Sequence, residues 1–95
     1  MAASADKINE REAAFIAIKA LAHISHSEQE LVKFLNLTGI SPADVIRLKE
    51  NLSFLAGVLD FISRDESLLL SFCADEDFTA DQVESARLRL GGPSE

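Results

Sequence analysis

The sequence predicts an all-α protein, a compact single-domain bundle of about six short helices. The chain has 95 residues, which is enough for one domain and leaves no room for a second core. Hydrophobic residues make up 47% of it and charged residues 26%, a balance unlike that of a disordered segment. Residues typical of helix ends recur along the chain, whereas the apolar–polar alternation of strands is absent from the sequence.

Helix-end signals divide the chain into predicted helices, whose boundaries are good to about two to four residues. The predicted helices are 6–24, 27–38, 42–51, 53–63, 66–75 and 80–90, with 1–5 and 91–95 as flexible ends. The predicted capping residues are Ser27, Ser41, Asn51 or Ser53, Asp65 and Thr79. Ser27 and Thr79 are each followed three places on by Glu or Gln, which predicts capping boxes. Pro42 suits a first helical turn, and Gly39 and Gly91 suit helix ends.

Helix one is predicted to be largely buried. Between positions 13 and 24, the only polar residues of this helix are Lys19 and His23. These two share a stripe with Glu12 and Ile16, since the four are spaced three or four residues apart. We therefore expect water to reach a narrow face of this helix, with Ile16 exposed on it.

The later helices differ in their apolar content. Helix four is apolar nearly all round, with Asp60 as its single charge. Helix five carries Leu68, Leu69 and Leu70 in succession. A helix that is apolar on every side has to be surrounded by protein, so both are expected in the interior. Helix six mixes charged and apolar positions, as a surface helix does.

A shift of 38 residues aligns the chain with itself without a gap. The aligned pairs include Glu28–Glu66, Leu31–Leu69, Phe34–Phe72, Ile40–Phe78, Ser41–Thr79, Val45–Val83 and Leu52–Leu90. One interpretation is two three-helix repeats whose first helices pack together at the centre. The other is a coincidence of helical patterning, since only 5 of the 26 pairs across 27–52 are identical.

Cysteine content and chain polarity exclude several classes of protein. One cysteine, Cys73, excludes an intrachain disulfide and a zinc site made of cysteines alone, and it favours a reducing cytoplasm. The acidic residues near the N-terminus do not fit a secretion signal or a transit peptide. The longest uncharged runs reach about half the length of a membrane span. We expect a cytoplasmic protein without a membrane segment.

Acidic residues are concentrated in the last third of the chain. Residues 60–95 hold 9 acids and 3 bases, so they carry -6 of the formal net charge of -7. One interpretation is a solvated face that aids solubility. The other is a docking surface for a basic protein partner. The candidate partner-binding residues are Asp75, Glu76, Asp77, Asp81 and Glu84, with Ile16, Lys19 and His23 as a second face that could also serve a homodimer.

Three segments, FLNLTG at 34–39, FLAGVLDF at 54–61 and DESLLL at 65–70, carry a family resemblance. They resemble a family of small alphaproteobacterial proteins catalogued as a domain of unknown function. The resemblance implies a compact, cytoplasmic, bacterial helical protein. It brings no catalytic residue and no cofactor, and the sequence predicts none.

The alternative function classes depend on a few residues. A small enzyme or metal-binding protein would use His23, His26 or Cys73. The predicted cap at Ser27 separates both histidines from Glu30, so these three would not share one helical face. The segment 75–81 lacks the glycine and the distal glutamate of a calcium loop.

A helix-turn-helix nucleic-acid binder is a further alternative. It would present Arg47 and Lys49 from the third helix, but Asp44 and Glu50 offset them. Binding phosphate requires a basic face, so the charge disfavours this class. We expect a non-enzymatic interaction or regulatory accessory module.

Overall fold

Six α-helices joined by short connections make up the described chain. The computed structural model describes residues 8–91, and no strand occurs among them. The helices are α1 (Glu10–Ser25), α2 (Glu28–Thr38), α3 (Pro42–Leu48), α4 (Leu52–Ser63), α5 (Glu66–Glu76) and α6 (Ala80–Gly91). The predicted all-α fold class is confirmed. Of the ends predicted to be flexible, 1–5 and 92–95 lie outside the described residues.

Side-chain caps begin the helices where the sequence places them. Asn51, rather than Ser53, caps α4: its Oδ1 accepts from the N–H of Phe54 at 2.9 Å. Ser27, Ser41 and Asp65 cap α2, α3 and α5 in the same way. Thr79 and Gln82 form the complete capping box predicted for α6, with hydrogen bonds of 3.0 and 2.8 Å. At Ser27 only half of the predicted box forms: the Ser27 N–H donates to the Ile24 carbonyl at 3.2 Å, and the Glu30 carboxylate lies 3.4 Å from Lys33 Nζ.

The start of α1 differs from its predicted position at residue 6. Asn9 caps the helix: its Oδ1 accepts from the N–H of Glu12 at 2.7 Å, and its own N–H donates to the Glu12 carboxylate at 3.4 Å. This reciprocal pair is a capping box that the sequence contains and that the sequence analysis overlooked. The helix therefore begins at Glu10.

The C-terminal ends of α2, α3 and α6 can be compared with their predicted positions. Helix α3 stops at Leu48 rather than at residue 51, because Asn51 is needed in extended conformation as the cap of α4. Gly39 ends α2 in the left-handed conformation, with φ 74°. Gly91 is helical instead of a left-handed stop. A Cβ at Gly91 would lie 3.4 Å from that of Ala56, so α6 packs closely against α4 at this point.

Three helices form the centre of the molecule. α4 and α6 pack along each other, and α1 packs against both. The buried core consists of Ala13, Ile16, Ala17, Ala20, Leu21, Ile24, Phe34, Phe54, Leu55, Val58, Leu59, Phe61, Ile62, Leu68, Phe72, Val83, Ala86 and Leu90. Six of the twelve residues of α4 belong to this core, so its predicted interior position is confirmed in part; Ser53 and Gly57 of the same helix are exposed. The Cα radius of gyration is 12.7 Å, as expected for a compact chain of this length. Within residues 8–91, no helix combines the length and the apolar character that crossing a membrane requires.

Helix α5 is less buried than its leucines suggest. Only Leu68 and Phe72 of this helix are buried, and Leu70 is 57% exposed. The prediction that α5 is surrounded by protein is therefore wrong. The reason is that α5 lies against the outside of α4 and α1, so one face of it reaches water.

The 38-residue correspondence extends to the structure. Phe34 and Phe72 are both fully buried, one in α2 and one in α5. Gly39 and Asp77 both end their helices in the left-handed conformation. The third helix of each half breaks the correspondence. α3 has seven residues, none of them buried, whereas α6 has twelve and packs on α1 and α4.

Phe34 anchors α2 to the core. Its ring meets those of Phe54 and Phe61 edge-on, with centroids 5.9 and 5.2 Å away. Such aromatic pairs add stabilisation beyond the burial of area.

We expect Phe34→Ala to lower the free energy of unfolding by about 3–5 kcal/mol, because it removes a fully buried ring and leaves a cavity. Phe15→Ala is the matched control: Phe15 is 55% exposed, so the loss should be about 1 kcal/mol or less. Urea unfolding followed by circular dichroism measures both. Equal losses in the two variants would contradict this description of the core.

Candidate functional site

The two faces predicted as partner-binding meet along one line where α1 and α5 pack together. Lys19 Nζ lies 3.4 Å from Glu76 Oε1, and His23 Nδ1 lies 3.6 Å from Asp75 Oδ2. Lys19 and His23 are one turn apart on α1, and their partners Glu76 and Asp75 are adjacent residues at the end of α5, so the two pairs lie side by side. We call this surface the α1–α5 seam, defined by Phe15, Lys19, His23, Ser71, Asp75, Glu76 and Phe78.

His23 is the most enclosed polar side chain of the seam. Its side chain is 9% exposed, and its ring lies 5.6 Å from that of Phe72. Its Nε2 lies 3.2 Å from Ser71 Oγ, on the side opposite Asp75. The carboxylate facing Nδ1 favours the tautomer with a proton on Nδ1, which leaves Nε2 free to accept from the Ser71 hydroxyl.

Ser71 was missed by the sequence analysis. A signal for it exists, because Ser71 and Asp75 are four residues apart and therefore lie on one face of α5. What the sequence does not contain is the position of His23, which comes from another helix 48 residues away.

Ile16 does not lie on the exposed face where it was predicted. It is 4% exposed and belongs to the core. The small residues Ala13, Ala17 and Ala20 turn inward, which carries Ile16 inward with them. The large apolar residues that reach water on α1 are Phe15, 55% exposed, and Ile18, 41% exposed.

Aromatic contacts continue the seam beyond its ion pairs. The rings of Phe15 and Phe78 meet edge-on with centroids 6.5 Å apart. Lys19 Nζ lies 5.8 Å from the centre of the Phe15 ring, within cation–π range. Lys19 thus interacts with an exposed apolar ring and with the Glu76 carboxylate at the same time.

The remaining candidate acids lie at helix ends or pair with a residue of their own helix. Asp77 ends α5 in the left-handed conformation, with φ 62°, which Asp tolerates better than most residues. Asp81 lies in the first turn of α6, where a negative charge is favourable. Glu84 accepts two hydrogen bonds from Arg87, at 2.7 and 3.1 Å. These bonds hold the pKa of Glu84 below its ordinary value.

Of the residues of the enzyme and metal alternatives, His23 lies in α1, His26 at its end and Cys73 in α5. His26 is the exposed residue that ends α1. Within residues 8–91 there is no cluster of three or more His, Cys, Asp or Glu side chains that could hold a metal ion. Cys73 is half-buried, and burial raises the pKa of its thiol. A thiol with a raised pKa is less often the reactive thiolate near neutral pH.

The basic residues of the nucleic-acid alternative lie at the end of the short α3. Arg47 is within 4.0 Å of Asp44, and Lys49 is the residue that caps the helix. The described surface also has shallow grooves. One, of about 470 Å³, is lined by Val32, Leu35, Asn36, Gly39, Ile40, Ser41 and Pro42. Another, of about 310 Å³, is lined by Leu37, Thr38, Gly57, Asp60, Phe61 and Arg64. Neither groove includes a histidine or the cysteine.

Comparison with known proteins identifies a family and no characterised relative. A family model described as "Protein of unknown function (DUF3572)" matches residues 10–93. No curated protein and no solved structure matches the chain significantly. The family resemblance read from the sequence is thus confirmed for a family of unknown function.

The thiol of Cys73 should react more slowly with Ellman's reagent at neutral pH than the thiol of glutathione does, because burial raises its pKa and limits access. Unfolding the protein in urea should bring the two rates together. A folded-state rate above that of glutathione would contradict this and revive Cys73 as a reactive group.

Glu84 should contribute to a pH dependence of stability. Its pKa is lowered in the folded protein, so its contribution is present above the pKa of the unfolded chain and is lost as the pH falls through the folded value. We expect Glu84→Gln to cost about 0.2–1 kcal/mol at neutral pH, the range of an exposed ion pair, and nothing once the carboxyl is protonated. Urea unfolding at several pH values measures this, with Glu50→Gln as the exposed control. A cost that persists in acid would contradict the assignment.

Proposed function

Because the chain belongs to a family of unknown function, we propose a role from the properties of its surface. We infer that it is a non-enzymatic module that binds another protein through the α1–α5 seam. The same proposal places the module in the cytoplasm, which agrees with its single cysteine. Binding would use the flank of α1 beside the seam together with the acidic end of α5.

The observation that carries the proposal is an apolar ridge next to a charged border. Phe15, Ile18 and Ala22 recur at helical spacing on the exposed side of α1. Large apolar side chains gathered on one exposed face often mark an interaction surface. Polar pairs border this ridge on the α5 side, as a polar rim borders the apolar centre of many interfaces.

The charges of the border favour a basic partner. Lys19 offsets the charge of Glu76, whereas Asp77 and Asp81 have no ion pair within residues 8–91. Lysine or arginine side chains flanking an apolar contact would complement these two carboxylates. A second copy of the chain would bring the same acidic border, so a homodimer through this face is less favourable.

The alternatives have weaker support. A metal-binding protein based on His23, His26 or Cys73 would need a cluster of ligands, and within residues 8–91 no three such side chains come together. An enzyme based on Cys73 would need a reactive thiolate, which the raised pKa of this thiol disfavours. A nucleic-acid binder based on Arg47 and Lys49 would have to overcome a formal net charge of -7.

The proposal predicts a retained partner that depends on the ridge. The full chain is immobilised and exposed to native extract at low salt, beside the double variants Phe15→Ser/Ile18→Ser and Leu37→Ser/Ile46→Ser. Leu37 and Ile46 are 69% and 70% exposed and lie outside the seam, so they are the matched apolar control. We expect the wild type and the control to retain the same basic protein and the ridge variant to lose at least about nine-tenths of it, as for a central apolar contact worth more than 1 kcal/mol.

Salt and charge variants test the electrostatic part of the proposal. Raising the ionic strength should release the partner, because exposed charges are screened. Asp77→Asn/Asp81→Asn should weaken retention and flatten its salt dependence. Equal retention by the ridge and control variants, or a retained species that is a second copy of this chain by sedimentation, would overturn the proposal.

A further inference from the structure

The Ser71 hydroxyl differs from two other hydroxyls within the helices. Ser25 and Thr38 each donate to the backbone carbonyl four residues earlier, at 2.9 Å, the usual arrangement in a helix. The hydrogen bond of Ser71 instead runs to the Nε2 atom of His23, at 3.2 Å. A hydroxyl bonded to an imidazole acceptor has a base within reach of its proton.

The imidazole is oriented for this contact from its other side. Asp75 Oδ2 faces Nδ1 at 3.6 Å, and the Phe72 ring packs against the imidazole. The order hydroxyl, Nε2, Nδ1, carboxylate is the one in which a histidine takes a proton from a serine while a carboxylate orients it. Ser71 itself is exposed, so an external electrophile can reach its oxygen.

We propose that Ser71 is a nucleophilic modification site, whose hydroxyl accepts an acyl group from an activated ester such as an aryl ester or a thioester. This goes beyond the binding role, since acylation of Ser71 would covalently modify the α1–α5 seam. The chain acts as a stoichiometric acceptor in this reaction.

The reaction is an acyl transfer without oxidation or reduction. Ser71 Oγ attacks the carbonyl carbon of the ester, and a new C–O bond forms while His23 Nε2 takes the hydroxyl proton. The bond from the carbonyl carbon to the leaving oxygen or sulfur then breaks. The leaving group departs with the electron pair and receives the proton from the imidazolium. Asp75 is a positioning residue that keeps the proton on Nδ1 and stabilises the imidazolium.

The probe is p-nitrophenyl acetate, added to the full-length protein at neutral pH. Released nitrophenolate gives the rate, and mass spectrometry of acid-quenched peptides locates the acetyl group. We expect acetyl-Ser71 in the wild type, none in Ser71→Ala and an unchanged yield in Ser67→Ala, the matched serine one turn earlier on α5. His23→Gln should slow labelling of Ser71 by about 10²-fold or more, the size of a general-base contribution. Circular dichroism checks that His23→Gln keeps the helical content of the wild type.

Asp75→Asn tests the positioning role through a spectroscopic readout. Nitrogen-15 NMR should show His23 protonated on Nδ1 in the wild type, with that preference lost in Asp75→Asn and the labelling of Ser71 slowed. Acetylation confined to lysines or to His23 itself would overturn the proposal. So would labelling of Ser71 no faster than that of Ser67, or a Ser71 rate that His23→Gln leaves unchanged.

Discussion

The close packing of α1 through its alanines is the constraint on which the rest of the structure depends. Ala13, Ala17 and Ala20 are fully buried, and α1 contacts α2, α4, α5 and α6. A helix with small residues on its inner face lets its neighbours approach closely. Because α1 must turn that face inward, it presents Phe15 and Ile18 to water and directs Lys19 and His23 toward α5. The apolar ridge and the seam are therefore consequences of core packing.

The two halves of the chain have similar helix caps and similar helix ends, but they pack differently. The caps at Ser27 and Asp65 and the left-handed ends at Gly39 and Asp77 fall 38 residues apart. What differs is the third helix of each half. In α6, Val83, Ala86 and Leu90 reach the core, whereas α3 ends before a comparable stripe can form. The central pair α1 and α4 is thus covered by α6, and α3 stays at the periphery.

The acidic residues of the last third of the chain fall into two groups, those that pair with a base and those that do not. Glu76 is paired with Lys19 of α1, and Glu84 is paired with Arg87. The charge left toward solvent near the seam is that of Asp75, Asp77 and Asp81, of which Asp81 also lies in the first turn of α6, where a negative charge is favourable. Exposed ion pairs of this kind add little to stability. Their main consequence is to set the sign of the surface that a partner would meet.

The fold class and most helix starts were predictable from the sequence, because a cap is a contact between residues three apart and is written locally, as at Ser41 and Asn51. The place of α4 in the core was predictable for a similar reason, since its many apolar residues leave only a narrow stripe, which includes Ser53 and Gly57, exposed to water. Tertiary packing decided the rest. Which residue of α1 faces water, Phe15 or Ile16, differs by one step around a helix, and only contacts with other helices settle that rotation. The partners of His23 lie about fifty residues away on α5, at a distance along the chain over which no local pattern specifies a contact.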